Sequence, residues 1–99
     1  MFKAGKIDEA IRKFDECLAL DPLNLTYNST ILLNKAIALN KKGKNEDALK
    51  SLNLCIKMNP EYAKALVKRG EIYQALGDPE EAVRDFGDAA AIDENGFGV

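Results

Sequence analysis

The chain has 99 residues, 46% hydrophobic and 30% charged, with 14 basic against 16 acidic side chains and a formal charge of −2. That is one globular domain without the basic excess of a nucleic-acid or membrane-surface binder, without an apolar run near the roughly 20 residues that cross a bilayer, and without a signal-peptide pattern. Histidine is absent, which excludes His-based triads, His metal sites and imidazole acid–base chemistry, and with them a His-Pro-Asp J-domain signature.

Taken in chain order, Met1 to Ala4 reads as the last turn of a helix, with Gly5 as the turn that follows it. Ala10, Ile11, Phe14, Cys17 and Leu18 then fall at the 3–4 spacing of one helical face. Asp21-Pro22 punctuates the chain before a second helix carrying Leu32, Leu33, Ala36, Ile37 and Leu39. Gly43 turns into a third helix with Ala48, Leu49, Leu52, Cys55 and Ile56 on one face, and Asn59-Pro60 closes it. A fourth helix carries Leu66, Val67, Gly70, Tyr73 and Leu76 and ends at Gly77. Asp78-Pro79-Glu80-Glu81 is a helix start, with Asp at the cap and Pro in the first turn, and Ala82, Val83, Phe86, Ala89 and Ala90 form the last stripe. No segment shows sustained strand alternation, so the expected class is all-α with about five helices.

The elements repeat. Gly5, Ala10, Cys17 and Pro22 recur 38 residues later as Gly43, Ala48, Cys55 and Pro60, and Gly43, Ala48 and Cys55 recur after a further 34 as Gly77, Ala82 and Ala89. Phe14, Leu52 and Phe86 keep the same register, as do Leu20, Met58 and Ile92. A 38-residue step is a 34-residue period plus about one helical turn. The expected units are a partial one at 1–24, an inserted turn at 25–28, full units at 29–62 and 63–96, and a tail at 97–99. On that reading the sequence is a fragment that lacks its first helix.

This pattern of paired helices, small residues at close crossings and a closing proline resembles the tetratricopeptide repeat. The third unit fits best, through Leu66, Gly70, Tyr73, Ala82, Phe86 and Ala89, and departs at Arg69 and Glu94, where the family usually has Leu and Pro. The resemblance implies a right-handed α-α superhelix of stacked helix pairs and a non-enzymatic scaffold for binding sites. The stretches 61–69 and 80–86 also resemble the tandem tetratricopeptide segment of J-domain co-chaperones.

Cys17 and Cys55 occupy the position where the third unit has Ala89, so both read as small buried thiols rather than a disulfide or zinc pair. Two unpaired thiols fit a reducing compartment, the cytoplasm. Asn24-Leu25-Thr26 and Asn28-Ser29-Thr30 satisfy the glycosylation triplet but read as polar helix entry, and the acidic pairs Asp8-Glu9, Glu46-Asp47 and Glu80-Glu81 read as first-turn charges favoured by the helix dipole. No nucleophile has a base beside it, no cofactor motif is present, and no catalytic constellation emerges.

In stacked helix pairs the first helix of each pair lines the concave face. The inward stripe there is Thr30, Asn34, Ile37 and Lys41, then Lys64, Lys68 and Glu71. Lys64 and Lys68, four residues apart on one face, form with Asn34 and Lys41 a positive site suited to a terminal carboxylate and an acidic side chain. This set resembles the carboxylate clamp of co-chaperone tetratricopeptide domains. The resemblance implies that Asn34, Lys64 and Lys68 hold the acidic Glu-Glu-Val-Asp tail of a cytosolic heat-shock chaperone, with Lys41 assisting and Ile37 as an apolar contact. Two further readings stand beside it: an assembly module, in which the isolated chain dimerises or swaps helices through exposed repeat ends, and a site for unfolded client proteins.

Overall fold

The computed structural model describes residues 4–92 as five helices: α1 (Ala4–Leu20), α2 (Leu25–Lys41), α3 (Asn45–Met58), α4 (Ala63–Ala75) and α5 (Pro79–Ile92). No strand occurs among the described residues. The helices pack in sequence order: α2 with α3 and α4 with α5 make the two intimate pairs, α1 lies on α2, and α3 meets α4 between the pairs. The architecture is the all-α one expected from the repeat.

Identical local chemistry builds the two pairs. Each ends its first helix in a Schellman turn: the Gly43 amide donates to the Asn40 carbonyl and the Lys44 amide to that of Leu39, as Gly77 does to Gln74 and Asp78 to Tyr73. Gly43 and Gly77 have φ of +88° and +86°, a left-handed conformation that side chains with a Cβ resist. The junctions repeat as well. Asp21-Pro22-Leu23-Asn24 and Asn59-Pro60-Glu61-Tyr62 are both turns in which the fourth amide donates to the first carbonyl at 3.1 Å, with Pro setting φ at the second position. Asn24 then caps α2, its Oδ1 accepting from the Tyr27 amide at 3.0 Å.

The extra four residues between the first two units lengthen a helix rather than a loop: α2 has 17 residues and α4 has 13. Asn28, in this first part of α2, is 2% exposed and donates from Nδ2 to the Asp21 carbonyl at 2.8 Å, fastening α2 to the turn that leaves α1. Asn24 and Asn28 are thus both used in helix entry, and the Asn28 amide is sealed from any modifying enzyme.

Leu32, Leu33, Ala36 and Leu39 from α2, Ala48, Leu52 and Cys55 from α3, and Ala65 and Ile72 from α4 make one continuous core. Ala36, Ala48, Leu52, Cys55 and Ala65 are wholly inaccessible. The small residues let helix axes approach, and Leu52 fills the space between them.

Two expectations need correcting. Gly5 does not turn the chain; it lies in the first turn of α1 with no positive φ, and the carbonyls a Schellman turn would use there belong to Met1 and Phe2, outside the described residues, as does Glu94. The last stripe is only half buried: Ala82 and Ala89 are covered, whereas Val83 is 70% exposed and Ala90 is also open. Their counterparts Leu49 and Ile56 pack against the core between the pairs, and among the described residues no helix lies on that side of α5.

Cys55 carries a pH dependence. Its thiol donates to the Ser29 carbonyl at 3.1 Å, and burial pushes its pKa from 9.0 up to about 11. The folded chain therefore keeps a proton that the unfolded chain releases, so this contribution is complete below pH 9 and is lost as pH rises through 11. The fall is on the order of 2–3 kcal/mol across that window. Urea midpoints at pH 8.5 and 10.5 should drop further for the native chain than for Cys55→Ala, which places at this position the residue found at Ala89.

Candidate functional site

The concave face is lined by α2 and α4, and two shallow hollows lie on it. One, of about 330 Å³, is bounded by Lys6, Ile7, Ala10 and Phe14 of α1 and by Asn34, Ile37, Ala38 and Lys41 of α2. The other, of about 400 Å³, is bounded by Leu33 and Ile37 of α2 and by Ala63, Lys64, Val67, Lys68 and Glu71 of α4. Ile37 belongs to both. Each is at the small end of ligand pockets, and side by side they form a trough rather than a closed cavity.

The five residues singled out from the sequence all line this trough. Asn34 and Lys41 stand on one side of the Ile37 ridge and Lys64 and Lys68 on the other, so they flank one apolar ridge instead of meeting at a single point. Helical spacing explains the arrangement: Asn34, Ile37 and Lys41 are three and four residues apart, as Lys64, Lys68 and Glu71 are four and three apart. Asn34, Lys41 and Lys64 are exposed, and Ile37 and Lys68 half-buried. Thr30, at the end of the stripe, turns its hydroxyl back to the Thr26 carbonyl at 3.2 Å.

Glu71 has a role the sequence did not assign. Its carboxylate lies 3.6 Å from the Lys68 ammonium, an i,i+3 pair on an open surface that is worth a few tenths of a kcal/mol. An incoming carboxylate can displace so weak a partner. Lys6 and Ile7 of α1, which the sequence pattern left without a role, and Phe14, which it placed on an apolar helix face, also wall the first hollow.

Chemically the trough offers ammonium groups, one amide and an apolar floor. Among the described residues no group of three or more His, Cys, Asp or Glu could hold a metal ion, and no helix is long and apolar enough to cross a membrane. Both cysteines are free, Cys55 buried and Cys17 half-buried.

A family model described as tetratricopeptide repeat matches residues 33–97. The chain belongs to the tetratricopeptide repeat family. It is 32% identical over 85 residues to human DnaJ homolog subfamily C member 7, a match covering 86% of this chain and 17% of that protein. It is 35% identical over 96 residues to RNA polymerase II-associated protein 3 of Xenopus laevis, covering 97% of this chain and 14% of that protein. The chain thus spans about a sixth of the curated relatives it matches. Among solved structures it superposes on the first tetratricopeptide domain of Spaghetti (RPAP3) bound to the HSP90 peptide SRMEEVD, with a TM-score of 0.81, 33% identity, and coverage of 94% of this chain and 71% of that one. The similarity to J-domain co-chaperones read from the sequence is met by the first of these relatives.

Proposed function

We propose that this tetratricopeptide module binds an extended acidic peptide with a free C-terminal carboxylate, of the Glu-Glu-Val-Asp kind carried by heat-shock chaperones, in the trough between α2 and α4. The observation that carries the reading is the Ile37 ridge, with Asn34 and Lys41 on one side and Lys64 and Lys68 on the other. Lys64 and Lys68 meet the terminal and side-chain carboxylates, Asn34 donates its amide to the peptide, Lys41 adds charge, and Ile37 receives the valine. The bound HSP90 peptide in the Spaghetti domain is the same chemistry on a related fold. The module acts in this reading as the chaperone-recruiting, non-catalytic part of a cytoplasmic co-chaperone, with repeat units at 29–62 and 63–96.

Lysine-to-carboxylate contacts are worth about 1.5–3 kcal/mol when formed to charged groups. Lys64→Ala combined with Lys68→Ala should therefore weaken a Glu-Glu-Val-Asp peptide at least tenfold by calorimetry. Raised salt should weaken the native chain more than the double variant. Unchanged affinity in the double variant would refute the clamp.

A second reading has its own observation. Val83 of α5 is 70% exposed, whereas its counterpart Leu49 in the earlier pair packs against the core. Self-association through this face would make the module an assembly element, and light scattering that stays monomeric at high concentration counts against it.

A further inference from the structure

The α4 wall of the trough carries its charges in an order that the clamp reading uses only in part. Lys64, Lys68 and Glu71 line the second hollow, four and then three residues apart on one face of the helix. Along that face the signs run positive, positive, negative. The repeat itself does not require the last of them: the residue 34 positions before Glu71 is Ile37, a neutral side chain on the same trough. The Glu71 side chain is 55% exposed, and its carboxylate is held only by the weak pairing with Lys68 at 3.6 Å. A peptide acid that takes Lys68 leaves Glu71 facing the next stretch of the same peptide.

We propose that Glu71 selects a basic side chain, lysine or arginine, at the fifth residue from the carboxyl end of the bound peptide. The inference rests on the tail-binding reading and extends it from an acidic tail to one of mixed charge. In an extended chain, side chains two residues apart point the same way and lie about 6.5–7 Å apart. Four residues of helix rise about 6 Å and three about 4.5 Å. Alternate side chains of the peptide therefore meet successive members of the α4 stripe, and long lysine and glutamate side chains take up the slack. With the last residue at Lys64 and the third from last at Lys68, the fifth from last falls at Glu71. In a Glu-Glu-Val-Asp tail that position is the residue immediately before the first Glu. Attraction to the trough as a whole predicts the opposite preference. Lys41, Lys64 and Lys68 outnumber Glu71, so a diffuse field would favour one more acid there. Direct pairing with Glu71 favours a base and penalises an acid.

The probes are three free-acid peptides that place Lys, Ala or Glu directly before Glu-Glu-Val-Asp, titrated calorimetrically into the 99-residue chain. The Lys peptide should bind tightest and the Glu peptide weakest, about fivefold apart, because an exposed pair shifts affinity by only a few-fold in each direction. Glu71→Gln should abolish that ratio and Glu71→Lys should invert it, with circular dichroism checking that both variants keep their helicity. Releasing Lys68 from its partner raises the affinity of all three peptides alike and cancels in the ratio. Equal affinity of the three peptides, tighter binding of the Glu peptide, or a ratio unchanged in Glu71→Lys would each overturn the inference while leaving the tail-binding reading in place. Failure of all three peptides to bind would overturn both.

Discussion

Arg69→Leu is expected to destabilise the chain by about 3 kcal/mol, although leucine is the residue the family usually has there. The Arg69 guanidinium binds Asp85 through two bonds, Nε to Oδ2 at 2.8 Å and Nη2 to Oδ1 at 2.7 Å, and Nη1 reaches Asn53 Oδ1 at 3.1 Å. Three helices meet at that side chain. The Asp85 hydrogen bond, against opposing desolvation, holds the guanidinium above its ordinary pKa. Asp85 is 3% exposed, so removing the arginine leaves a buried carboxylate without its cation. Removing both charges gives a different result: Arg69→Leu with Asp85→Leu should recover most of the loss, because a buried pair returns little net energy over a packed apolar pair. The double-mutant cycle by urea denaturation should therefore show a large coupling energy. Additive losses would mean the pair is not the cause.

Gly70→Leu is expected to cost about 3 kcal/mol, the upper part of the range for overpacking a core. Even a Cβ at this position would meet Phe86 Cε1 at 2.6 Å and Cδ1 at 2.9 Å, so a leucine has to push α5 off α4. Gly70→Ala is the milder probe, because about 1 kcal/mol of gained helix propensity offsets part of the ring displacement. The described part of α5 packs chiefly against α4, so both Arg69 and Gly70 substitutions should act first on α5. Hydrogen exchange should show α5 amides losing protection before those of α3. Uniform loss across all five helices would show that α5 is not a separable unit.

The fold was legible because every unit repeats the same residues for the same reasons. Gly43 and Gly77 permit a left-handed turn, Pro22 and Pro60 preset φ, and Ala48 with Leu52 must fit beneath a neighbouring helix. Gly5 misled because a glycine states only that a turn is permitted, and the first turn of a helix accommodates it as well. Val83 and Ala90 misled for a related reason: periodicity identifies an apolar face but not whether anything covers it. The lysines of the trough could be placed on one face from spacing alone. Their separation by the Ile37 ridge, and the pairing of Lys68 with Glu71, depend on how α2 and α4 sit against each other, which no single-helix pattern contains.

The central claim is that the trough recognises a free carboxyl terminus, and the direct measurement compares one peptide in two forms. A Glu-Glu-Val-Asp peptide with a free C-terminus and its C-terminal amide differ by one charge and leave every apolar contact unchanged. Calorimetric titration should give the free acid at least tenfold tighter binding, equivalent to about 1.4 kcal/mol. Lys64→Ala with Lys68→Ala should bring the two forms to the same affinity. Equal affinity of acid and amide for the native chain would contradict the account.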